Sequence, residues 1–171
     1  TKQDFARGAR SLTDDRRYEN MRMLAVCNGR LQAHVEPSET TGCRVHALTG
    51  SVSQIIRSYP KIVNHVRREC PQIVFANAPA WHGSFALRFA SYADSVTALA
   101  IRGDLWTEFE AMLSRRYADN PARRLDVHLR RQLAERNMRR MDRLITVSDY
   151  SRGIVLKQTD VPAEREIGRA H

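Results

Sequence analysis

Short β-branched apolar runs alternate along the chain with longer stretches in which apolar residues recur every three or four positions. That alternation predicts a parallel sheet covered by helices. Residues 4–13 can form a helix with Phe5, Ala9 and Leu12 on one face, and residues 21–29 (MRMLAVCNG) read as a buried strand. The polar run VEPSETT, residues 35–41, reads as a loop leading to a second strand at 42–48. Val52, Ile55, Ile56, Tyr59, Ile62, Val63 and Val66 then recur at helical spacing, with Pro60 placed to kink that helix or divide it in two. Pro71 opens a strand at 72–76, a helix follows over about 81–92, and VTALAI, residues 96–101, is the next strand. Residues 105–117 are helical by pattern. Asn120 followed by Pro121 marks the start of a long helix to about residue 141, with Leu125, Leu129, Leu133, Met138 and Met141 as its expected buried stripe. A last strand at 143–147 meets a helix capped by Ser148. With neither an internal repeat nor a linker, residues 1–171 read as one α/β domain, a Rossmann-like parallel sheet with helices on both faces.

Composition narrows the classes. The 171 residues are 42% hydrophobic, enough to build a core and too many for a disordered or collagen-like chain. The apolar runs at 23–27 and 97–101 fall far short of the ~20 residues that span a bilayer. Lys and Arg number 28 against 19 Asp and Glu, a net charge of +9 that favours anionic partners. Much of it lies in one helical stretch, from Arg115 and Arg116 through Arg123, Arg124, Arg130, Arg131, Arg136, Arg139 and Arg140 to Arg143. A solvated helix face accounts for such a run, and peripheral contact with an anionic membrane is the functional alternative. Nucleic acid is disfavoured, because no helix-turn-helix, RNP-like or zinc-finger string accompanies the charge.

Three cysteines, Cys27, Cys43 and Cys70, include no CxxC pair and are odd in number, which suits a reducing, cytoplasmic setting better than a disulfide framework. The N-terminal residues carry no apolar signal region. None of the six histidines forms an HxxxH pair, so no metal site is expected. Neither a GxGxxG nor a GKS/GKT string occurs, so no cofactor or self-contained nucleotide site is expected either.

Several strings resemble a known family in the same order. RLITVSDYSRGIVLKQTDVPAER, residues 143–165, resembles the strand, serine-capped helix and "VPAEK" turn late in the N-terminal domain of family four glycosyltransferases of the GT-B fold. VTALAIRGDLWTEFE, residues 96–110, resembles that domain's central strand and acceptor loop, and CPQIVFANAP, residues 70–79, its "PDVVHAHSP" strand. The resemblance implies one half of a GT-B architecture, the acceptor-binding half. It also implies metal-independent, retaining transfer from a nucleotide sugar to a hydroxyl on a glycan or lipid-linked acceptor. The family's first strand and glycine-rich loop, and its C-terminal donor-binding domain, have no counterpart in these residues, so the chain alone is expected to be inactive. The strand that ends in HAH in the family reads FAN here, residues 75–77, which removes whatever those histidines do.

In parallel α/β sheets ligands bind beyond the carboxyl ends of the strands. That rule singles out Asn28 and Gly29, then Asn77 and Trp81, then Arg102, Asp104 and Trp106, then Ser148, Tyr150 and Ser151. Asp104 is the expected catalytic carboxylate, able to accept hydrogen bonds from sugar hydroxyls, and Arg102 the expected partner of a phosphate or carboxylate. A local Arg102–Asp104 ion pair is the structural alternative. Asn77, Trp81, Trp106, Ser148, Tyr150 and Ser151 complete the expected acceptor site, the tryptophans by stacking on a sugar face or simply by packing.

Overall fold

The computed structural model describes residues 21–27, 34–40, 43–162 and 166–167, with the backbone alone at 34–40, 43 and 166–167. The expected helix at 4–13 and the strand-end residues Asn28 and Gly29 lie outside these. The strands are β1 (Met21–Cys27), β2 (His34–Thr40), β3 (Cys43–Thr49), β4 (Ile73–Ala76), β5 (Val96–Ile101), β6 (Arg143–Thr146) and β7 (Glu166–Ile167). They form one sheet in the order β2-β3-β1-β4-β5-β6-β7. Every neighbouring pair is parallel except β2 with β3. The chain steps from β1 outward to β3 and then returns past β1 to β4, so the strand order reverses between β1 and β4. This is the α/β, Rossmann-like sheet that the pattern predicts.

Period-two alternation assigns the faces. Across the sheet, Leu48, Val26, Ala76, Leu99 and Leu144 stand in register as one row. All five are buried in a single large cluster. Six helices contribute to it: α1 (Val52–Arg57), α2 (Tyr59–Glu69), α3 (Trp81–Ala90), α4 (Leu105–Ala111), α5 (Pro121–Arg140) and α6 (Asp149–Gln158). The odd residues of β1, Met23 and Ala25, form a smaller second cluster with Val45 on the opposite face; no helix among the described residues joins it, so the helices expected on both faces are seen on one.

Local chemistry sets the breaks. Ser51 and Gln54 close a reciprocal capping box at the start of α1. Pro60, in the first turn of α2, divides the expected single helix in two at Ser58. Asn120 caps α5 ahead of Pro121, and Ser148 caps α6, both as the sequence predicts. The expected helix at 105–117 is α4 continued by a π-helical turn, Met112–Arg116.

Three expectations are corrected. VEPSETT is not a loop: residues 34–40 pair antiparallel with β3 in full register, His34 opposite Thr49 and Thr40 opposite Cys43. Because β2 is an edge strand, Pro37 is tolerated in it. Ile56, counted on the buried face, is exposed. The expected buried stripe of α5 holds at its end, where Met138 and Met141 are buried, but not before it: Leu125 and Leu129 are 60% and 45% exposed, while Val127, Ala134 and Asn137 are buried instead.

Candidate functional site

Because β1 and β4–β6 are parallel neighbours, their carboxyl ends open on one edge of the sheet. Two loops there meet. After β5, Arg102 and Gly103 lead to Asp104, the N-cap of α4. Gly103 has φ of +72°, the left-handed backbone that glycine adopts at no steric cost, and it aims Asp104 back over its own helix. After β6, Ser148 caps α6 and places Tyr150 in its first turn. Asp104 Oδ1 accepts the Thr107 backbone N–H at 3.1 Å, and Oδ2 accepts the Thr107 hydroxyl at 2.6 Å. Tyr150, 68% exposed, donates its hydroxyl to Asp104 Oδ2 at 3.4 Å and so links the two loops.

The Thr107 hydroxyl bond, then the backbone bond, hold the Asp104 carboxyl below the usual carboxylate range. A carboxylate so stabilised is a strong hydrogen-bond acceptor and a weak base. Its fitted chemistry is to orient a hydroxyl rather than to take its proton. The Arg102–Asp104 ion pair, the structural alternative, does not form among the described residues; Arg102 is exposed, and the structural role of Asp104 is the helix cap.

Other sequence-predicted residues divide clearly. Asn77 and Trp81 follow β4 on the adjoining strand end, both half-buried. Ser148 Oγ accepts the Ser151 N–H at 3.1 Å as a cap. Ser151 is only 2% exposed and its hydroxyl lies 3.0 Å from that of Ser148, so it supports the helix start and does not face a ligand. Trp106 is likewise withdrawn: it is 5% exposed, and its indole N–H donates to Glu135 on α5 at 3.3 Å, which fixes α4 against α5 and leaves no stacking surface.

Two residues of this edge lie outside the sequence-predicted site. Cys27 ends β1, and burial pushes its thiol up to about 11, with the Arg102 charge opposing, so it is no thiolate nucleophile near neutral pH. Buried His82, in the first turn of α3, donates Nε2–H to the Gly50 carbonyl at 3.2 Å. Desolvation lowers its pKa and the bond only partly restores it, so His82 is a neutral tie between α3 and the end of β3. The signal for His82 was its place two residues past a strand-end loop; its partner is 32 residues away and invisible to local pattern.

Among the described residues no group of His, Cys, Asp and Glu could hold a metal ion. No helix among them is long and apolar enough to cross a membrane. No protein-family model matches the chain, and no curated protein matches it.

Proposed function

We propose that this chain is the acceptor-binding domain of a nucleotide-sugar-dependent glycosyltransferase, one half of a GT-B architecture, acting on a hydroxyl of a glycan or lipid-linked acceptor. The observation that carries the reading is the meeting of Asp104 and Tyr150 from two successive strand-end loops. Together they offer an anionic acceptor and a phenolic donor and acceptor at the edge where parallel sheets bind ligands. Asp104 orients the acceptor hydroxyl, Tyr150 supplies a second polar contact and an aromatic face, and exposed Arg102 meets an anionic group of donor or acceptor. Asn77 and Trp81 border the same edge one strand away. The donor sugar nucleotide is left to a second domain, in keeping with the family the sequence resembles.

Saturation-transfer NMR on the 171-residue chain with neutral disaccharides tests this reading. Transfer to the sugar that disappears in Asp104→Asn is expected. Absence of transfer to every sugar would overturn it, and turnover of a nucleotide sugar by this chain alone would overturn the assignment of the donor to a second domain.

A second reading, docking on an anionic lipid surface without chemistry, is favoured by the exposed arginines of α5, among them Arg123, Arg124, Arg136 and Arg140. It is tested by vesicle binding, argued below.

A further inference from the structure

A cleft of about 370 Å³ lies between α3 and α5, lined by Ser84, Leu87, Arg88, Leu133, Arg136 and Arg140, with Ser91 and Asn137 completing the wall. This volume is at the lower end of the range of small-molecule pockets, roughly 300 to 1,000 Å³. None of its lining residues is acidic, and three arginines give the lining a formal charge of +3. Arg136 and Arg140 stand one turn apart on α5 and project from the same side. Among the described residues neither has a carboxylate partner: Asp126, Glu135 and Asp160 are engaged by Arg130, Arg131 and Arg139 instead. Arg88 comes from α3 and is held by the Tyr59 hydroxyl and the Tyr92 ring, 4.9 Å away.

The polar remainder is turned inward. Ser84 Oγ donates to the Ala80 carbonyl at 3.3 Å and accepts from Asn137 Nδ2 at 2.9 Å, while Ser91 Oγ donates to the Arg88 carbonyl at 2.8 Å. The free donors of the cleft are therefore guanidinium N–H groups. Leu87 and Leu133 supply an apolar wall between them.

We propose that this cleft binds a phosphomonoester carried on an apolar body. A phosphomonoester has a charge of about −1.5 to −2 at neutral pH and three acceptor oxygens, matching the two free forks of Arg136 and Arg140, with the charge of Arg88 beside them, better than a singly charged carboxylate does. The apolar part lies along Leu87 and Leu133. This site shares no residue with the Asp104 edge, and it stands whether or not the chain serves glycosyl transfer.

The test is calorimetric titration of the full chain with phenyl phosphate, and separately with inorganic phosphate, at low salt. Phenyl phosphate is expected to bind more tightly than inorganic phosphate. Replacing Arg136→Gln together with Arg140→Gln is expected to weaken it by about 10-fold or more, and Arg88→Gln alone, on the other helix, to weaken it in the same sense. The pair Arg115→Gln with Arg123→Gln removes the same net charge outside the cleft and is expected to leave binding nearly unchanged. No binding, or equal losses from the two pairs, would overturn the site. Phenyl phosphate binding no tighter than inorganic phosphate would overturn the apolar half of the assignment. Thermal melts of each variant show that the fold is retained.

Discussion

Asp104 carries two roles that a conservative substitution separates. As an N-cap, Asn serves about as well as Asp, whereas Ala forfeits roughly 1 kcal/mol. Asp104→Asn is therefore expected to melt with the wild type and to lose sugar contacts, while Asp104→Ala loses about 1 kcal/mol of stability as well. Sugar contacts undiminished in Asp104→Asn would reduce this residue to a cap. A second prediction comes from His46 on β3 and His65 on α2, whose rings meet with Nδ1 and Nε2 at 3.1 Å. Arg68 can only donate, and its Nη2 sits 3.1 Å from His65 Nδ1, so neutral His65 carries its proton on Nε2 and gives it to His46 Nδ1. His46 must then be protonated on Nε2, which is buried without a hydrogen bond and lies 3.8 Å from Glu69 Oε2. Glu69 in turn accepts from Arg68 Nε at 2.9 Å, closing a ring of four side chains. A further proton on either imidazole breaks a donor–acceptor match, and Arg44 and Arg68 add repulsion; burial, the largest cause, lowers both histidine pKa values below 6.5. The folded chain thus binds fewer protons than the unfolded one as pH falls. Stability is complete above pH ~6.5 and declines below it, through the folded pKa values. Urea unfolding at a series of pH values is expected to show this decline. It should become shallower in the double variant His46→Leu, His65→Leu, with His82 supplying the remainder; an unchanged slope would show that the pair is not its source.

At the scale of elements, α3 and α5 are joined through Asn137. Its Nδ2 lies 2.7 Å from both the Pro79 and Ala80 carbonyls, just ahead of α3, and 2.9 Å from Ser84 Oγ. Gly83 lets the helices come this close, since a Cβ there would sit 3.2 Å from the Asn137 amide. Asn137→Ala leaves the Pro79 carbonyl without its donor and opens a gap, and is expected to cost about 2 to 3 kcal/mol in denaturant unfolding. A loss under ~1 kcal/mol would mean that water replaces the amide. The same helix shows where sequence pattern stops being informative. The strand 96–101 and the caps at Asn120 and Ser148 were legible because a buried parallel strand is an uninterrupted apolar run and a cap is written in adjacent residues. The stripe of α5 was not. Val127, between the two exposed leucines, is buried, and with Ala134, Met138 and Met141 it forms a stripe at seven-, four- and three-residue steps, so the core meets a different face of the early helix from the one Leu125 and Leu129 mark, and polar Asn137 joins it. Strand β2 was missed for a related reason: its pairing with β3 is set by the opposite strand, and its own residues, Glu36, Pro37, Ser38 and Glu39, favour a loop. In the candidate site, chain position identified Asp104 and Tyr150. The burial of Trp106 and Ser151 depends on α5 and the turn of α6, which local sequence does not convey.

For the whole molecule, the net charge of +9 sets up a field that reaches an anionic surface over ~30 Å at 0.01 M salt and only ~8 Å at 0.15 M. Whether α5 is the face that meets such a surface can be asked through its ion pairs. Arg130 bonds Asp126 at 2.8 Å, Arg131 bonds Glu135 at 3.1 Å and Arg139 approaches Asp160 at 4.0 Å. The first two are i,i+4 pairs, which contribute only ~0.3–0.5 kcal/mol each, and the third is a long contact to a fully exposed carboxylate, so replacing all three arginines by Gln leaves the fold intact. It also uncovers three carboxylates, so this strongly basic part of the surface loses most of its excess positive charge. Each basic residue near an anionic membrane is worth about 1 kcal/mol, so Arg130→Gln, Arg131→Gln and Arg139→Gln together are expected to lower partitioning onto phosphatidylserine vesicles by roughly 100-fold at low salt. Arg57→Gln with Lys61→Gln, on α1 and α2, lowers the net charge elsewhere and is expected to lower partitioning much less. Equal losses per charge removed from the two regions would assign the attraction to the overall field, with no preferred face. Wild-type chain that fails to sediment with these vesicles at low salt would end the membrane reading and leave the arginines of α5 as a solvated face.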